Sequence, residues 1–104
     1  MRIISQNGNV DLPYEKALIF HAMETVLARC EGYDKEIVLG EYSSMEKAYK
    51  AMKMLREQHE KVAFLKTIIN TEKGASFVSR LSKTEFDKMT RNYFQFPKDD
   101  EVEV

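Results

Sequence analysis

Two histidines, His21 and His59, and a single cysteine, Cys30, are the side chains of this sequence best suited to metal binding or nucleophilic catalysis. A metal site needs clustered donors, at spacings such as Cys-x-x-Cys or His-x-x-x-His. Neither spacing occurs. His21 and Cys30 could meet across a first hairpin, with the imidazole as base to the thiol. The competing reading makes Cys30 a small buried hydrophobe. It places His59 at a helix C-terminus, where positive charge is favoured. We adopt the second reading and expect no metal ligand and no catalytic residue. Asp99 and Asp100 are paired carboxylates, but general acid–base work needs positioned groups, and they fall in a terminal segment expected to be loose. With four glycines in all, there is no phosphate-cradling loop and no dinucleotide fingerprint. No cofactor is expected.

Charge is unevenly spread. The chain is net -1 overall, but residues 61–98 carry eight basic and three acidic side chains. The same stretch holds Phe64, Phe77, Phe86, Tyr93, Phe94 and Phe96. Basic groups attract phosphates, and exposed aromatics stack on bases. Arg80, Lys83, Arg91 and Tyr93 are therefore the candidate ligand or partner contacts. They suit a small signalling nucleotide held between basic and aromatic groups, or a nucleic acid. Against the latter, no helix-turn-helix or RNP-type signature is present. The alternative is that the aromatics form the core of the second half.

The elements that would position these groups follow from periodicity and caps. Residues 2–6 are β-prone, and Asn7-Gly8-Asn9 marks a turn. Asp11 to Tyr14 reads as an extended connector, since Pro13 keeps Leu12 out of the helical region. Three strands are expected at 17–23, 25–31 and 36–42, joined by hairpin turns. The first is apolar on both faces, which places it centrally in the sheet. A helix over 16–30 competes, because Ala, Leu and Met are good helix formers. Ser43 and Glu46 have capping-box spacing and open a helix over about 44–60. Its expected inward face is Met45, Ala48, Tyr49, Met52, Leu55, His59 and Val62. Residues 62–80 stay undetermined: 64–69 either continue the helix or form a strand, and 71–76 read as a loop around Gly74. A second box, Ser82 and Glu85, opens a short helix over about 83–91 with Leu81, Phe86 and Met89 inward. Tyr93 to Phe96 read as a last strand.

The expected fold class is thus α+β: an antiparallel sheet of four to five strands with the long helix across one face. The Met45–Tyr49–Met52–Leu55 stripe should form the interface. At 104 residues the chain is one domain's worth, read as residues 1–98 followed by an acidic, flexible tail over 99–104. Hydrophobic residues at 43% and charged residues at 32% fit a globular chain. A single cysteine excludes an internal disulfide and fits a reducing compartment. The N-terminus has no apolar stretch of signal-peptide type, and no run is long enough to span a bilayer. The expected location is the cytoplasm.

Three stretches carry a resemblance: MRIISQNGNVDLPYE at the start, VLGEYSSMEKAYKAMKMLRE in the middle, and FQFPKDDEVEV at the end. Together they resemble a family of small uncharacterised proteins encoded in phages and prophages of Gram-positive bacteria. They cover under half of the chain. The resemblance implies expression inside a bacterial host and a variable part at about 60–92. It carries no reaction, cofactor or binding residue. The leading expectation is a non-catalytic accessory protein that binds a host or defence-system protein. Sequestration of a signalling nucleotide and nucleic-acid binding through residues 61–98 follow in that order. A homo-oligomer is among the expected states, and no membrane contact is.

Overall fold

The computed structural model of the chain describes residues 1–69 and 71–104, and the backbone alone of Met89. It is an α+β arrangement of six strands and three α-helices among those residues. The strands are β1 (Arg2–Ile4), β2 (Asp11–Pro13), β3 (Ala17–Ala22), β4 (Thr25–Cys30), β5 (Ile37–Glu41) and β6 (Tyr93–Gln95). The helices are α1 (Met45–Ile68), α2 (Glu72–Ser79) and α3 (Lys83–Thr90).

The single sheet of four to five strands is replaced by two sheets of three. One has the order β2-β1-β6 and the other β3-β4-β5. In the first, β1 pairs antiparallel with β2 and parallel with β6. Asp11–Pro13, read as a connector, is therefore a strand. Pro13 is tolerated because β2 lies at an edge, where its missing N–H breaks no ladder. Leu12 and its partner Ile3 are both fully buried. In the second sheet all pairings are antiparallel, with a bulge between Val26 and Leu27. The alternative helix over 16–30 is excluded: those residues form the β3–β4 hairpin.

Gln6 joins the two sheets. Its backbone N–H donates to the Leu39 carbonyl at 2.7 Å. Its side-chain amide then acts as an extra peptide group beside β5. The Glu41 N–H donates to Oε1 at 3.1 Å, and Nε2 donates to the Glu41 carbonyl at 3.2 Å. The same Nε2 lies 3.1 Å from the Pro97 carbonyl. One side chain thus meets backbone groups of β5 and of the segment after β6, distant in the sequence.

Helix α1 begins one residue later than the capping box suggests. The cap is Ser44, whose hydroxyl accepts the Lys47 N–H at 3.2 Å. Ser43 instead donates its backbone N–H to Asp99 Oδ1 at 2.7 Å. The helix also runs on to Ile68, so residues 64–68 continue it. His59 consequently lies within the helix, not at its end. It stacks on Tyr14, with ring centroids 4.3 Å apart.

The buried face of α1 is Ala48, Ala51, Leu55, Val62 and Leu65. Met52 packs partly against the core. Two members of the expected stripe are elsewhere: Met45 is 53% exposed and Tyr49 54%. At about 100° per residue, both lie to one side of the alanine line. The core below α1 includes Val26, Ala28 and Leu39 from the second sheet, Ile3 and Leu12 from the first, and Phe96 just after β6.

After α1 the expected loop at 71–76 is instead helix α2, capped by Thr71, whose Oγ1 accepts the Gly74 N–H at 2.9 Å. Gly74 is required there. A Cβ would sit 1.8 Å from the Ile68 carbonyl oxygen, far inside contact distance. Ser82 caps α3 as expected, accepting the Glu85 N–H at 3.1 Å. Leu81 and Phe86 are half-buried. Met89, the third residue expected to turn inward, has a side chain outside the described residues.

The acidic segment 99–104, expected to hang free of a 1–98 domain, is built into the fold. Residues Asp99–Glu101 form a 3-10 turn, and Val102 is buried in the core cluster. Tyr42 donates its hydroxyl to the Pro97 carbonyl at 2.8 Å, and burial raises its pKa far above the ordinary value. Asp99 also lies 3.4 Å from Lys47 Nζ. The Ser43 N–H, followed by Lys47, holds its carboxyl below the usual value.

Two outcomes follow. Ser44→Ala should cost about 1 kcal/mol in urea unfolding, while Ser43→Ala should move the midpoint less, since the Ser43 backbone N–H is its main contact with Asp99. The Asp99 contribution is present above the ordinary aspartate pKa and fades as pH falls through the lowered folded value. Asp99→Asn should therefore destabilise the protein at neutral pH and converge with the wild type in acid. The neutral-pH gap should shrink in salt, because the carboxylate is partly exposed.

Candidate protein-binding surface

Strand β3 is apolar on both sides, and the structure places it at the edge of its sheet instead of the centre. The inner side turns Ile19 toward α1 and the core. The other side carries Leu18 and Phe20. Register puts Leu18 opposite Arg29, Phe20 opposite Leu27, and Leu27 opposite Val38. Residues two apart on a strand share a face, so Leu18, Phe20, Leu27 and Val38 lie together across three strands. This face points away from α1. Leu18 is 63% and Val38 47% exposed, while Phe20 and Leu27 are half-buried by their neighbours.

A three-stranded antiparallel sheet with a helix on one face ordinarily turns polar residues to water on the other. Here the wet face is apolar at its centre. Polar groups sit at its border. Arg29 reaches over the Phe20 ring, 5.8 Å from its centroid, and pairs with Glu36 at 2.7 Å. The guanidinium therefore covers part of one aromatic ring and leaves Leu18 and Val38 open.

A second uncovered region lies between β3 and α1. A hollow of about 510 Å³ is lined by His21, Met45, Glu46, Tyr49, Lys50, Lys53 and Val104. Its floor is the apolar flank of α1 that the sheet does not reach. Next to it, Ala17 and Ile19 line a smaller hollow with Tyr14, Met52, Leu55 and Arg56.

The chemistry-bearing residues are not assembled. His21 pairs with Val26, whereas Cys30 pairs with Ala17 at the other end of the hairpin. Four residues of strand separate them, or roughly 13 Å, so they do not meet. His21 Nδ1 lies 3.2 Å from the Met23 carbonyl, and Cys30 is buried. Among the described residues no cluster of three or more His, Cys, Asp or Glu side chains could hold a metal ion. No described helix is long and apolar enough to cross a membrane.

Of the four candidate contacts, two come together. The Arg91 guanidinium lies 5.3 Å from the centroid of the Tyr93 ring. Arg80 closes α2 and Lys83 opens α3, both exposed. The aromatics of residues 61–98 divide between two fates. Phe96 is core, and Phe94 packs edge-on against it at 5.2 Å. Phe64 and Phe77 are exposed and share a hollow with Ile68 and Lys73.

The sheet face was not anticipated from sequence, although its signal was present. A strand apolar on both sides is either central or awaits a cover, and periodicity alone does not separate these cases. Comparison of the chain with protein-family models, with curated proteins and with solved structures finds no match in any of the three.

Because Leu18 and Val38 touch little within the chain, the double variant Leu18→Lys/Val38→Lys should change unfolding free energy by no more than about 1 kcal/mol. It should also lower binding of a hydrophobic dye to the native protein. A large stability loss would show that these side chains serve the fold and not the surface.

Proposed function

We propose that this chain is a non-catalytic protein-binding module whose contact surface is the outer face of β3–β4–β5. The observation that carries this reading is the apolar Leu18–Phe20–Leu27–Val38 cluster, exposed at Leu18 and Val38, on a sheet face that no helix covers among the described residues. Contiguous apolar surface rimmed by polar groups is the usual mark of a protein contact. Its fitting partner is a protein with an apolar, gently concave surface that excludes water from Leu18 and Val38. The resemblance to phage and prophage proteins gives the setting: an accessory protein in the bacterial cytoplasm that binds a host or defence-system protein.

A second reading has its own observation. Phe64 and Phe77 are exposed beside Lys73 in the basic helical lobe, a combination that suits stacking and phosphate attraction in a single-stranded nucleic acid. A signalling nucleotide at Arg80, Lys83, Arg91 and Tyr93 has weaker support, since only Arg91 and Tyr93 are in contact.

Affinity capture from a bacterial host lysate separates the readings. A specific protein should be retained by the wild type and by the charge-reversed Arg80→Glu/Lys83→Glu/Arg91→Glu variant, and lost with Leu18→Lys/Val38→Lys. Retention by the sheet-face variant would overturn the proposal. Salt-dependent binding of single-stranded RNA or DNA, abolished by Phe64→Ala/Phe77→Ala, would favour the second reading.

A further inference from the structure

We propose that two copies of this chain join through the free edge of β3, forming one six-stranded antiparallel sheet with their α1 helices packed side by side. This goes beyond the partner-binding reading and holds whether or not the outer face takes another protein.

The first observation is the edge itself. β3 is terminal in the order β3-β4-β5. The two-residue turn at Met23-Glu24, with Met23 at φ 54°, closes on the pair Ala22 and Thr25. In such hairpins the closing pair is hydrogen-bonded, and bonding alternates along the strand. Leu18, Phe20 and Ala22 thus direct their backbone groups to β4. Ile19 and His21 direct theirs outward. Exposed edges are normally protected by proline, charge or a bulge. The strand ALIFHA has no proline and no acidic or lysine side chain, and the sheet's irregularity falls between β4 and β5. The opposite edge, at β5, is met by Gln6.

The second observation is self-complementarity. A two-fold axis at Phe20 sets each Ile19 against His21 of the second copy, joining their free N–H and C=O groups reciprocally. Phe20 then faces Phe20, Leu18 faces Ala22, and Lys16 faces Glu24. Side chains approach most closely at non-hydrogen-bonded pairs, which in this register are the apolar ones at the centre. The charge pairs fall at both ends with opposite signs.

The third observation is the uncovered flank of α1. His21 shares its hollow with Met45, Glu46 and Tyr49, while Ala17 and Ile19 share theirs with Met52, Leu55 and Arg56. Helix α1 therefore runs antiparallel to β3, and Tyr49 and Met52 come level with Phe20. The same axis then brings the two helices together antiparallel on one face of the joined sheet. Met45 and Tyr49, each about half exposed in one copy, become the contact. Glu46 of each helix comes within a turn of Lys53 and Arg56 of the other. The apolar residues left over by the monomer and the charges around them match under one symmetry operation, as an isologous interface requires.

Sedimentation of the full chain at micromolar concentration should give twice the 12.2 kDa mass of one copy. Tyr49→Glu replaces the apolar contact near the axis with two carboxylates, one from each copy, and His21→Pro removes an outward N–H while sparing the β4 ladder. Each should halve the mass with the far-ultraviolet dichroism unchanged. Should His21→Pro fail to fold, Phe20→Cys keeps the proposal open to refutation. It should form an intermolecular disulfide under mild oxidation much faster than Val38→Cys, whose position lies two strands away. A monomeric wild type, a dimer unmoved by Tyr49→Glu, or equal cross-linking at both positions would each overturn it.

Discussion

The close seat of α1 on its sheet is the constraint from which most of this structure follows. Ala48 and Ala51 on the helix and Ala28 on β4 are all fully buried. Small side chains let backbones approach, and interiors are packed to crystal density. A helix seated on its alanines cannot also bury the large residues beside them. Met45 and Tyr49 are turned to the flank, toward the free side of β3. The sheet is narrow, so among the described residues no further strand lies beneath that flank. Burial of the alanine line and exposure of the flank are one packing decision.

The same seam organises the other sheet, β2-β1-β6, and the last residues. Ile3, Leu12, Phe96 and Val102 belong to the core cluster that Ala48, Ala51 and Leu55 complete. The polar groups around it are satisfied by side chains that mimic backbone. Gln6 supplies an amide to β5, and Asp99 takes the N–H of Ser43 just outside the α1 cap. Among the described residues no buried side-chain polar atom lacks a partner. The acidic segment therefore combines two roles by position: Asp99 answers a backbone donor and Lys47, and Val102 fills the core.

Periodicity in the sequence made the elements legible more reliably than their neighbours in space. The β3, β4 and β5 segments, the helix opening near Ser44, the Ser82 cap and the final strand all stand close to their expected limits. Each depends on local chemistry: alternation, a capping hydroxyl, a turn. What local pattern could not supply was the partner of each surface. The hydrophobic stripe of α1 weighted Met45 and Tyr49 above the alanines, because transfer free energy rewards size, whereas close packing rewards shape. Gly74 read as a loop signal, although its role is to let the α1–α2 turn pass the Ile68 carbonyl. Asp11–Pro13 lacked the length of a strand and was recruited by Ile3. His21 and Cys30 lay on one hairpin in both accounts, but register sends them to opposite ends.

The double-sided character of β3 is the least satisfied feature of the chain. A strand with Leu18 and Phe20 on one side and Ile19 on the other is suited to a sheet interior. This chain puts it at an edge, with its outer side in water. The free energy of covering that side and that edge is not realised within one copy. Burial of apolar area contributes roughly 25 cal/mol per Å², so a few such side chains are enough to bias an association. Edge pairing and face covering use different groups of the same strand: backbone N–H and C=O for one, Leu18 and Phe20 for the other. Both can be satisfied at once. Joining two copies would extend the outer apolar face across the axis and present any third protein with a wider surface of the same chemistry.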